Sequence, residues 1–302
     1  MVAALVSKII GLIYKSPLSA TLGNESFGCF SFAQNVYLIL LMIASYSIPQ
    51  AVSKIMAERI AFKRYRDAQR IFKGALLYAV IVGGVVAIFC VVGAPILIPE
   101  SMANARLALQ FLAPTIFLSG ILGVFRGYFQ AYRNMLPTSL SQIFEQIAVA
   151  VVALLMANFM VNYFADADTD VLRSWSAAGA TMGTGAGVAT ALLFMLLVYW
   201  VNRKVIQKKI QRDTVSVNES YSSVMKNIVL IVSPIILSSF LYNVNTYLNS
   251  RIYSQVSGFK GMDSSLIEGL YAECGYFMTL INIPLTLAST APTSMLPEVS
   301  GA

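Results

Sequence analysis

Long uncharged runs alternate with short charged segments along this chain, and each run is about as long as a membrane crossing. Uncharged runs occupy 26–53, 74–98, 107–125, 146–165, 174–202, 227–250 and 274–297. An earlier apolar run, 1–22, is interrupted by Lys8 and Lys15. About 20 residues of helix span the hydrocarbon core of a bilayer. Backbone in lipid must satisfy its own hydrogen bonds and no strand-like alternation is present, so the pattern predicts eight transmembrane helices.

The composition supports this interpretation. Hydrophobic residues make up 57% of the 302 residues and charged residues 12%, and the mean hydropathy is +0.71. The charged fraction is about half that of a soluble domain, which leaves too few polar groups to cover a soluble globule. We therefore predict an all-α polytopic membrane protein. The net charge of +7 comes from loops between the runs, where it orients a membrane protein, so nucleic acid is not an expected partner.

Lysine and arginine are unevenly divided between the two sets of loops. Fifteen of them lie after the second, fourth and sixth runs, and four lie on the other side, at Arg106, Arg173, Arg251 and Lys260. Cytoplasmic loops carry the excess of such residues, so both termini are expected to be cytoplasmic. The runs divide the chain into a six-helix lobe at 1–202, a basic cytoplasmic linker at 203–226 and a second lobe that begins at 227–302.

Three glycines in the sixth run, Gly179, Gly183 and Gly187, recur every four residues. Small residues at this spacing share one helix face and allow a neighbouring helix to approach closely. The alternative is a lipid-facing helix in which the glycines are incidental. We predict the close helix contact.

No metal or cofactor chemistry is evident in the sequence. The chain has no histidine, and Cys29, Cys90 and Cys274 are far apart, each within an apolar run. We therefore expect buried thiols, without a disulfide, a metal site or a cofactor. The acidic segment 166–170 lacks the glycine and the distal glutamate of a calcium loop, so a solvated hairpin is expected there.

Two charged residues fall inside predicted spans and are candidates for a transport cavity. Lys15 lies about 12 Å from the end of its run at 1.5 Å per residue. A lysine at the centre of a bilayer costs about 2.5–3.5 kcal/mol, which favours a water-filled cavity around it. Glu145 is either a cavity or proton-coupling residue, or a helix-packing residue paired with Arg126 or Arg133.

Amide side chains inside two other spans are further candidates. Gln34 and Asn35 lie in the second run, and Asn245 and Asn249 lie in the seventh. They could contact the hydroxyl groups of a sugar. The alternative is that they form hydrogen bonds between helices, which is common for amides within membranes.

Four stretches, in this order and spacing, resemble a known transporter family. They are SKIIGLIYKSPLSATLGNESFG at 7–28, SIPQAVSKIMAE at 47–58, RGYFQAYRNMLPTSLSQIFEQ at 126–146 and SPIILSSFLYNVNTYLNSRIY at 233–253. Together they resemble the polysaccharide-transporter branch of the multidrug/oligosaccharidyl-lipid/polysaccharide flippase superfamily, with its stage V sporulation protein B-like and lipid II flippase-like members nearest. The resemblance covers essentially the whole chain.

This resemblance implies a MATE-like fold of two six-helix lobes related by a pseudo-twofold axis. The chain would hold one complete lobe and the first two helices of the second, so we expect it to be a piece of a longer protein. It also implies a bacterial cytoplasmic membrane location and the flipping of an anionic lipid-linked sugar, such as a peptidoglycan precursor, by alternating access. Membrane lipids and a coupling ion, H⁺ or Na⁺, are the other partners it implies.

The resemblance also suggests which basic residues line the cavity. In lipid II flippases, basic residues of the first, second and eighth spans face it. Lys15 is in the matching part of the first span, and Lys54 lies at the cytoplasmic end of the second. The eighth span has no basic residue, only Glu268 and Glu273 near its outer end, and Arg251 in the seventh span is the candidate substitute.

Other functions remain open at this point. A multidrug or cation antiporter of the related branch needs a carboxylate deep in the first lobe, and Glu145 fits that requirement. A non-transporting membrane scaffold is a further alternative. A membrane enzyme such as a glycosyltransferase needs exposed acidic or histidine residues at one face, so we do not expect an enzyme.

Overall fold

The computed structural model describes residues 2–217 and 220–277, and within these ranges the ordered elements are helices. The long helices are α1 (Val2–Ile13), α2 (Lys15–Leu41), α3 (Ile48–Ala61), α4 (Tyr65–Val92), α5 (Ala105–Ala131), α6 (Leu136–Tyr163), α7 (Thr169–Gln211), α8 (Tyr221–Phe259) and α9 (264–277). A π-helical turn, Met42–Tyr46, joins α2 to α3, and short helical turns at Ala94–Leu97 and Glu100–Met102 follow α4.

Gly23 divides α2 and turns the chain back on itself. Its φ of 72° and ψ of 167° lie in a region open essentially to glycine alone. A Cβ on Gly11 would lie 2.8 Å from Gln146 Oε1 of α6, and Gln34 donates a hydrogen bond to Thr184 of α7 at 2.9 Å. Positions on the two sides of Gly23 therefore reach similar depths in the α6–α7 pair. The chain forms a helical hairpin with its corner at Gly23.

The predicted glycine face is confirmed as the contact between α6 and α7. A Cβ built on Gly179 would lie 2.7 Å from Met160 Cγ, and one on Gly183 would lie 2.5 Å from Ala153 Cβ. One on Gly187 would overlap the backbone of α6. These distances are shorter than any ordinary van der Waals contact, so larger side chains would push the two helices apart.

Following the division predicted from the sequence, we call helices α1–α7 the first lobe and helices α8 and α9 the second lobe. The second lobe packs against the first at both ends of the structure. We call the end with Gly23 and the turns at 98–104, 164–168 and 260–263 the hairpin end, and the end with the turns at 62–64, 132–135 and 212–217 the linker end. At the hairpin end, Ile267 of α9 joins a core with Phe32 and Leu109. At the linker end, Val224 and Ile228 of α8 join a core around Phe72 and Tyr128.

Five helical segments of the described residues are long and apolar enough to cross a membrane: Ile9–Ala61, Tyr65–Val92, Ala105–Ala131, Leu136–Tyr163 and Thr169–Gln211. The first has 53 residues. A straight helix of that length would extend about 80 Å, twice the thickness of a bilayer. The corner at Gly23 divides the segment into two arms that run in opposite directions. The all-α, multi-pass fold class is confirmed. The number eight stays a prediction, because most of the run 274–297 lies outside the described residues.

The linker predicted at 203–226 is partly helical. Helix α7 continues to Gln211 and α8 begins at Tyr221. Irregular chain is described over 213–217. The charged residues of this region therefore lie largely at the end of α7 and the start of α8.

Candidate functional site

Lys15 is the first residue of α2 and lies on the hairpin's first arm. It is half-buried, and it forms no ion pair with any residue that the structure describes. Eight residues separate it from the Gly23 corner, which corresponds to about 12 Å of helix. Lys15 is therefore a cation within the membrane-spanning region without a described counter-charge.

The candidate amides of α2 are engaged in hydrogen bonds between helices. Gln34 Nε2 donates to Thr184 Oγ1 of α7 at 2.9 Å. Asn35 Nδ2 donates to the hydroxyl of Tyr271 in α9 at 2.7 Å, and that hydroxyl shares a 2.7 Å hydrogen bond with Ser250 Oγ of α8. Asn35 therefore joins a helix of the first lobe to both described helices of the second.

The candidates on α8 have different surroundings. Asn245 and Asn249 are exposed and, being four residues apart, share one face of the helix. Arg251 is half-buried and its Nη1 donates to the hydroxyl of Tyr247 at 2.9 Å. Tyr247 in turn donates to the carbonyl of Leu97 at 3.1 Å, so this pair contacts the first lobe.

Lys54 lies in α3 and is exposed. It is near the linker end, whereas Lys15, Asn249 and Arg251 lie closer to the hairpin end. The eight predicted residues therefore do not form a single cluster in this conformation. Gln34 and Glu145 have partners within the first lobe, whereas Asn35 donates a hydrogen bond directly to the second.

Glu145 pairs with Arg126, one of the two partners considered from the sequence. Glu145 Oε2 lies 2.6 Å from Arg126 Nη2, and Arg126 Nε donates to Ser141 Oγ at 3.0 Å. The two charged side chains are 19% and 15% exposed. Arg133 is in the turn between α5 and α6, with a φ of 57°. Removing one partner of such a largely buried pair leaves a costly lone charge, so the pair holds α5 against α6.

A charged cluster at the hairpin end was not predicted from the sequence. Arg173 Nη2 lies 2.5 Å from Glu25 Oε2, while its Nη1 lies 3.5 Å from Asp170 Oδ1 and 3.7 Å from Glu268 Oε2. Asn104 Nδ2 donates to Asp170 at 3.1 Å and to Glu268 Oε1 at 3.0 Å. We call these five residues the hairpin-end cluster. The signal available in the sequence was Arg173 beside Asp170, with Glu25 and Glu268 near the ends of other predicted spans.

The backbones of α2 and α9 are also in close contact at the hairpin end. A Cβ added to Gly28 of α2 would overlap the carbonyl group of Glu268 in α9. Ser101 Oγ and Ser254 Oγ of α8 lie 2.6 Å apart. The hairpin end is therefore closed, with helices α8 and α9 packed on the first lobe.

The linker end is held together by hydrogen bonds that cap the N-terminus of α4. Helix α4 has no capping side chain of its own, and residues of the linker supply the caps. Asp213 Oδ2 accepts from the backbone N–H of Arg66 at 2.7 Å, and Ser216 Oγ accepts from that of Asp67 at 3.3 Å. Asp67 Oδ2 accepts from the N–H of Val217 at 3.0 Å. We call these five residues the linker clasp.

The clasp sets the protonation of Asp213. Burial opposes its ionisation, but hydrogen bonds from the Ser216 hydroxyl and from the N–H groups of Arg66, Val215 and Ser216 outweigh this effect and lower the pKa of Asp213 to about 2. Its carboxylate is therefore charged at neutral pH. A carboxylate at a helix N-terminus is also favoured by the helix dipole.

The prediction for the thiols is right for two cysteines and wrong for the third. Cys29 and Cys90 are buried, but Cys274 is exposed because its face of α9 is not covered by any described helix. Within 2–217 and 220–277, no group of three or more His, Cys, Asp or Glu residues is arranged to hold a metal ion.

A family model described as polysaccharide biosynthesis protein matches residues 1–298. Three curated proteins of Bacillus subtilis (strain 168) are similar: stage V sporulation protein B (22% identity, 99% of this chain and 56% of the relative), the lipid II flippase MurJ (22%, 98% and 55%) and the uncharacterized membrane protein YabM (23%, 99% and 54%). The chain spans about half the length of these curated relatives.

One solved structure has a similar fold. It is a multidrug resistance MATE family transporter of the MOP superfamily in an inward-facing conformation. The TM-score is 0.69 at 15% identity, and the match covers 98% of this chain and 63% of the other. At this identity the similarity concerns the fold, and it confirms the MATE-like architecture expected from the sequence.

Proposed function

Because this chain belongs to the polysaccharide biosynthesis protein family, we propose that it flips an anionic lipid-linked sugar across the bacterial cytoplasmic membrane by alternating access. In this proposal the substrate is a lipid-linked oligosaccharide or a peptidoglycan precursor. Membrane lipids are the other partners, and both termini face the cytoplasm. The name of one curated relative, a lipid II flippase, supports a substrate of this class.

The observation that carries the proposal is the position of Lys15. A half-buried ammonium group within a membrane-spanning helix, without a described carboxylate beside it, is costly unless a ligand or water compensates the charge. A pyrophosphate head group is such a ligand. Glu145, the other charged residue predicted inside a span, pairs with Arg126 and not with Lys15.

The other candidates have roles that follow from their positions. Asn245 and Asn249 present exposed amides on one face of α8, suitable for the hydroxyl groups of a sugar. Gln34 and Asn35 would become available when their hydrogen bonds to α7 and α9 break. Exposed Lys54 would attract the anionic head group at the linker end, and Arg251 would receive it nearer the hairpin end.

The closed hairpin end gives the proposal a direction. If the lysine and arginine bias orients the protein, the hairpin end faces outward and the linker end faces the cytoplasm. In the conformation described here the outward-facing end is then closed. Transport requires the hairpin end to open, and a gradient of H⁺ or Na⁺ would drive the cycle.

Substitutions of Lys15 test the proposal in cells that depend on the protein for flipping. Lys15→Arg keeps the charge and should keep much of the activity, whereas Lys15→Gln should lose it while the protein still accumulates in the membrane. Lys73→Gln is the matched control, because Lys73 is exposed in α4 and outside the proposed cavity.

The readouts separate the alternatives. Flippase complementation and membrane abundance are measured for each variant, together with resistance to cationic drugs. Full complementation by Lys15→Gln contradicts the binding role of Lys15. Drug resistance that depends on the protein, without complementation, favours the multidrug antiporter.

A further inference from the structure

The hairpin-end cluster contains more negative than positive groups. Three carboxylates, those of Glu25, Asp170 and Glu268, lie around the single guanidinium of Arg173. The shortest of the three ion pairs is with Glu25, and that with Glu268 is the longest. With all three carboxylates ionised, the cluster has a net charge of −2; Glu268 in it is fully buried, whereas the side chains of Glu25 and Asp170 are 43% and 67% exposed. Like charges this close favour the uptake of a positive charge.

Glu268 is the member that is least suited to remain ionised. Its side chain is fully buried, at 0% exposure. Oε1 accepts a hydrogen bond from Asn104, but Oε2 has no hydrogen-bond partner in the structure and lies 3.7 Å from Arg173. A buried ionised oxygen without a donor is costly, whereas a protonated oxygen at this place carries its own hydrogen.

We propose that Glu268 is a proton-binding site whose occupancy holds the hairpin end closed. The proton binds Oε2 of Glu268 from solvent at the hairpin end as α9 closes on α2. It returns to the same solvent when α9 moves away and water reaches the carboxylate. No net proton crosses the membrane in this step. The inference rests on the proposed function only because that function requires the hairpin end to open.

The direction of the pH effect follows from the groups that face Glu268. Glu25 of α2 and Asp170 of α7 are negative and favour the proton. Arg173 of α7 and the amide of Asn104, which donates to Glu268, oppose it, as does the neighbouring thiol of Cys29. Burial and these neighbouring groups act on Glu268 only while the end is closed, and burial is the largest of these effects, so closure increases proton affinity. Low pH therefore favours the closed hairpin end, and high pH favours the open one.

Spin labels across the hairpin end can measure this effect in the protein as its gene encodes it. Asp166→Cys, in the turn before α7, and Lys260→Cys, after α8, provide exposed sites on the two lobes. Exposed Cys274 is replaced by serine, and Cys29 and Cys90 are buried. We expect the short-distance population to dominate at about pH 5 and to decrease towards pH 9, a range that buried carboxyl groups reach.

Two variants on α9 decide the assignment. Glu268→Gln imitates the protonated carboxyl group and should keep the short distance at every pH. Glu273→Gln, a change to an exposed carboxylate of the same helix, should keep the wild-type response. If the closed state binds the proton about ten times more tightly than the open state, the ratio of closed to open changes by about tenfold across the titration.

The proposal is overturned if Glu268→Gln retains the wild-type pH response or if the wild type has none. A second measurement needs no variant. The infrared spectrum of the wild type at pH 5 should contain the carbonyl band of a protonated, buried carboxylic acid, and its absence also overturns the site. Neither readout uses substrate, so a failure here leaves the flipping proposal to its own test with Lys15.

Discussion

The two ends at which the second lobe contacts the first are closed by different chemistry. At the linker end, Asp213 and Ser216 accept hydrogen bonds from backbone N–H groups of α4, and Val224 packs beside Gly74. At the hairpin end, charged side chains meet in a cluster with a surplus of carboxylates, and α2 touches α9 through Gly28.

This difference indicates which end is suited to open. Caps on a helix N-terminus and apolar contacts are unaffected by pH in the neutral range, and they hold a linker in place while a helix tilts. Charged clusters at an interface respond to protonation and to salt. We therefore expect the linker end to act as the hinge and the hairpin end to act as the gate.

The largest effect is expected from Arg173→Gln. This change leaves three carboxylates without their cation, one of them fully buried, and should cost about 3–5 kcal/mol of the closed state at a pH at which Glu268 is ionised. Thermal unfolding in detergent and the spin-label distance both report it.

Arg106→Gln is the control for that prediction. Arg106 is also at the hairpin end, but its partner Glu100 is 89% exposed, and exposed pairs contribute about 0–1 kcal/mol. The double change Arg173→Gln/Glu268→Gln should recover part of the loss. Equal effects of the two arginine changes contradict the special role of the hairpin-end cluster.

A smaller effect is expected from Gly28→Ala. The added methyl group meets the Glu268 carbonyl, and such overpacking costs about 1–3 kcal/mol. The hairpin end should open, which lengthens the spin-label distance. Gly269→Ala on α9 has open space around it and should leave the distance unchanged. An unchanged distance in Gly28→Ala shows that the gate does not depend on this contact.

At the linker end, Asp213→Ala should cost about 1 kcal/mol, a typical value for a lost helix cap. Thr214→Ala, at an exposed neighbouring position, should cost nothing measurable. The spin-label distance at the hairpin end should be the same in both variants. A clear shift of that distance in Asp213→Ala contradicts a hinge that is independent of the gate.

The smallest effect at neutral pH concerns the titration of Asp213. Its folded pKa of about 2 is below the ordinary value of 3.8, so its contribution to stability is fully present above that ordinary value and is lost as pH falls through 2. The protection of the Arg66 amide against hydrogen exchange should therefore not depend on pH between 5 and 8, after correction for the intrinsic exchange rate. In Asp213→Asn the dependence at low pH should disappear.

Periodicity and composition predict the helical, membrane-spanning fold because they are properties of single segments. The glycine face of α7 was predicted for the same reason, since three residues at one spacing define it. The partner of Glu145 was left open between Arg126 and Arg133. Only the backbone of the turn, in which Arg133 has a φ of 57°, decides between them.

The hairpin-end cluster could not be predicted in the same way. Glu25, Arg173 and Glu268 lie near the ends of three helices far apart in the chain, and in the sequence each looks like an ordinary loop charge. Their meeting depends on how α9 docks on α2. Exposed Cys274 shows the same limit, since an apolar run alone does not tell which face of a helix is covered.

The caps of α4 have a consequence for the order in which the protein is assembled. Arg66 and the Asp213 that caps it are 147 residues apart, so a ribosome completes α5, α6 and α7 before this cap exists. Until then the start of α4 must be satisfied by water at the membrane surface. The first lobe can therefore insert early but reaches its final form only after the linker has been synthesised, which couples its maturation to the arrival of the second lobe.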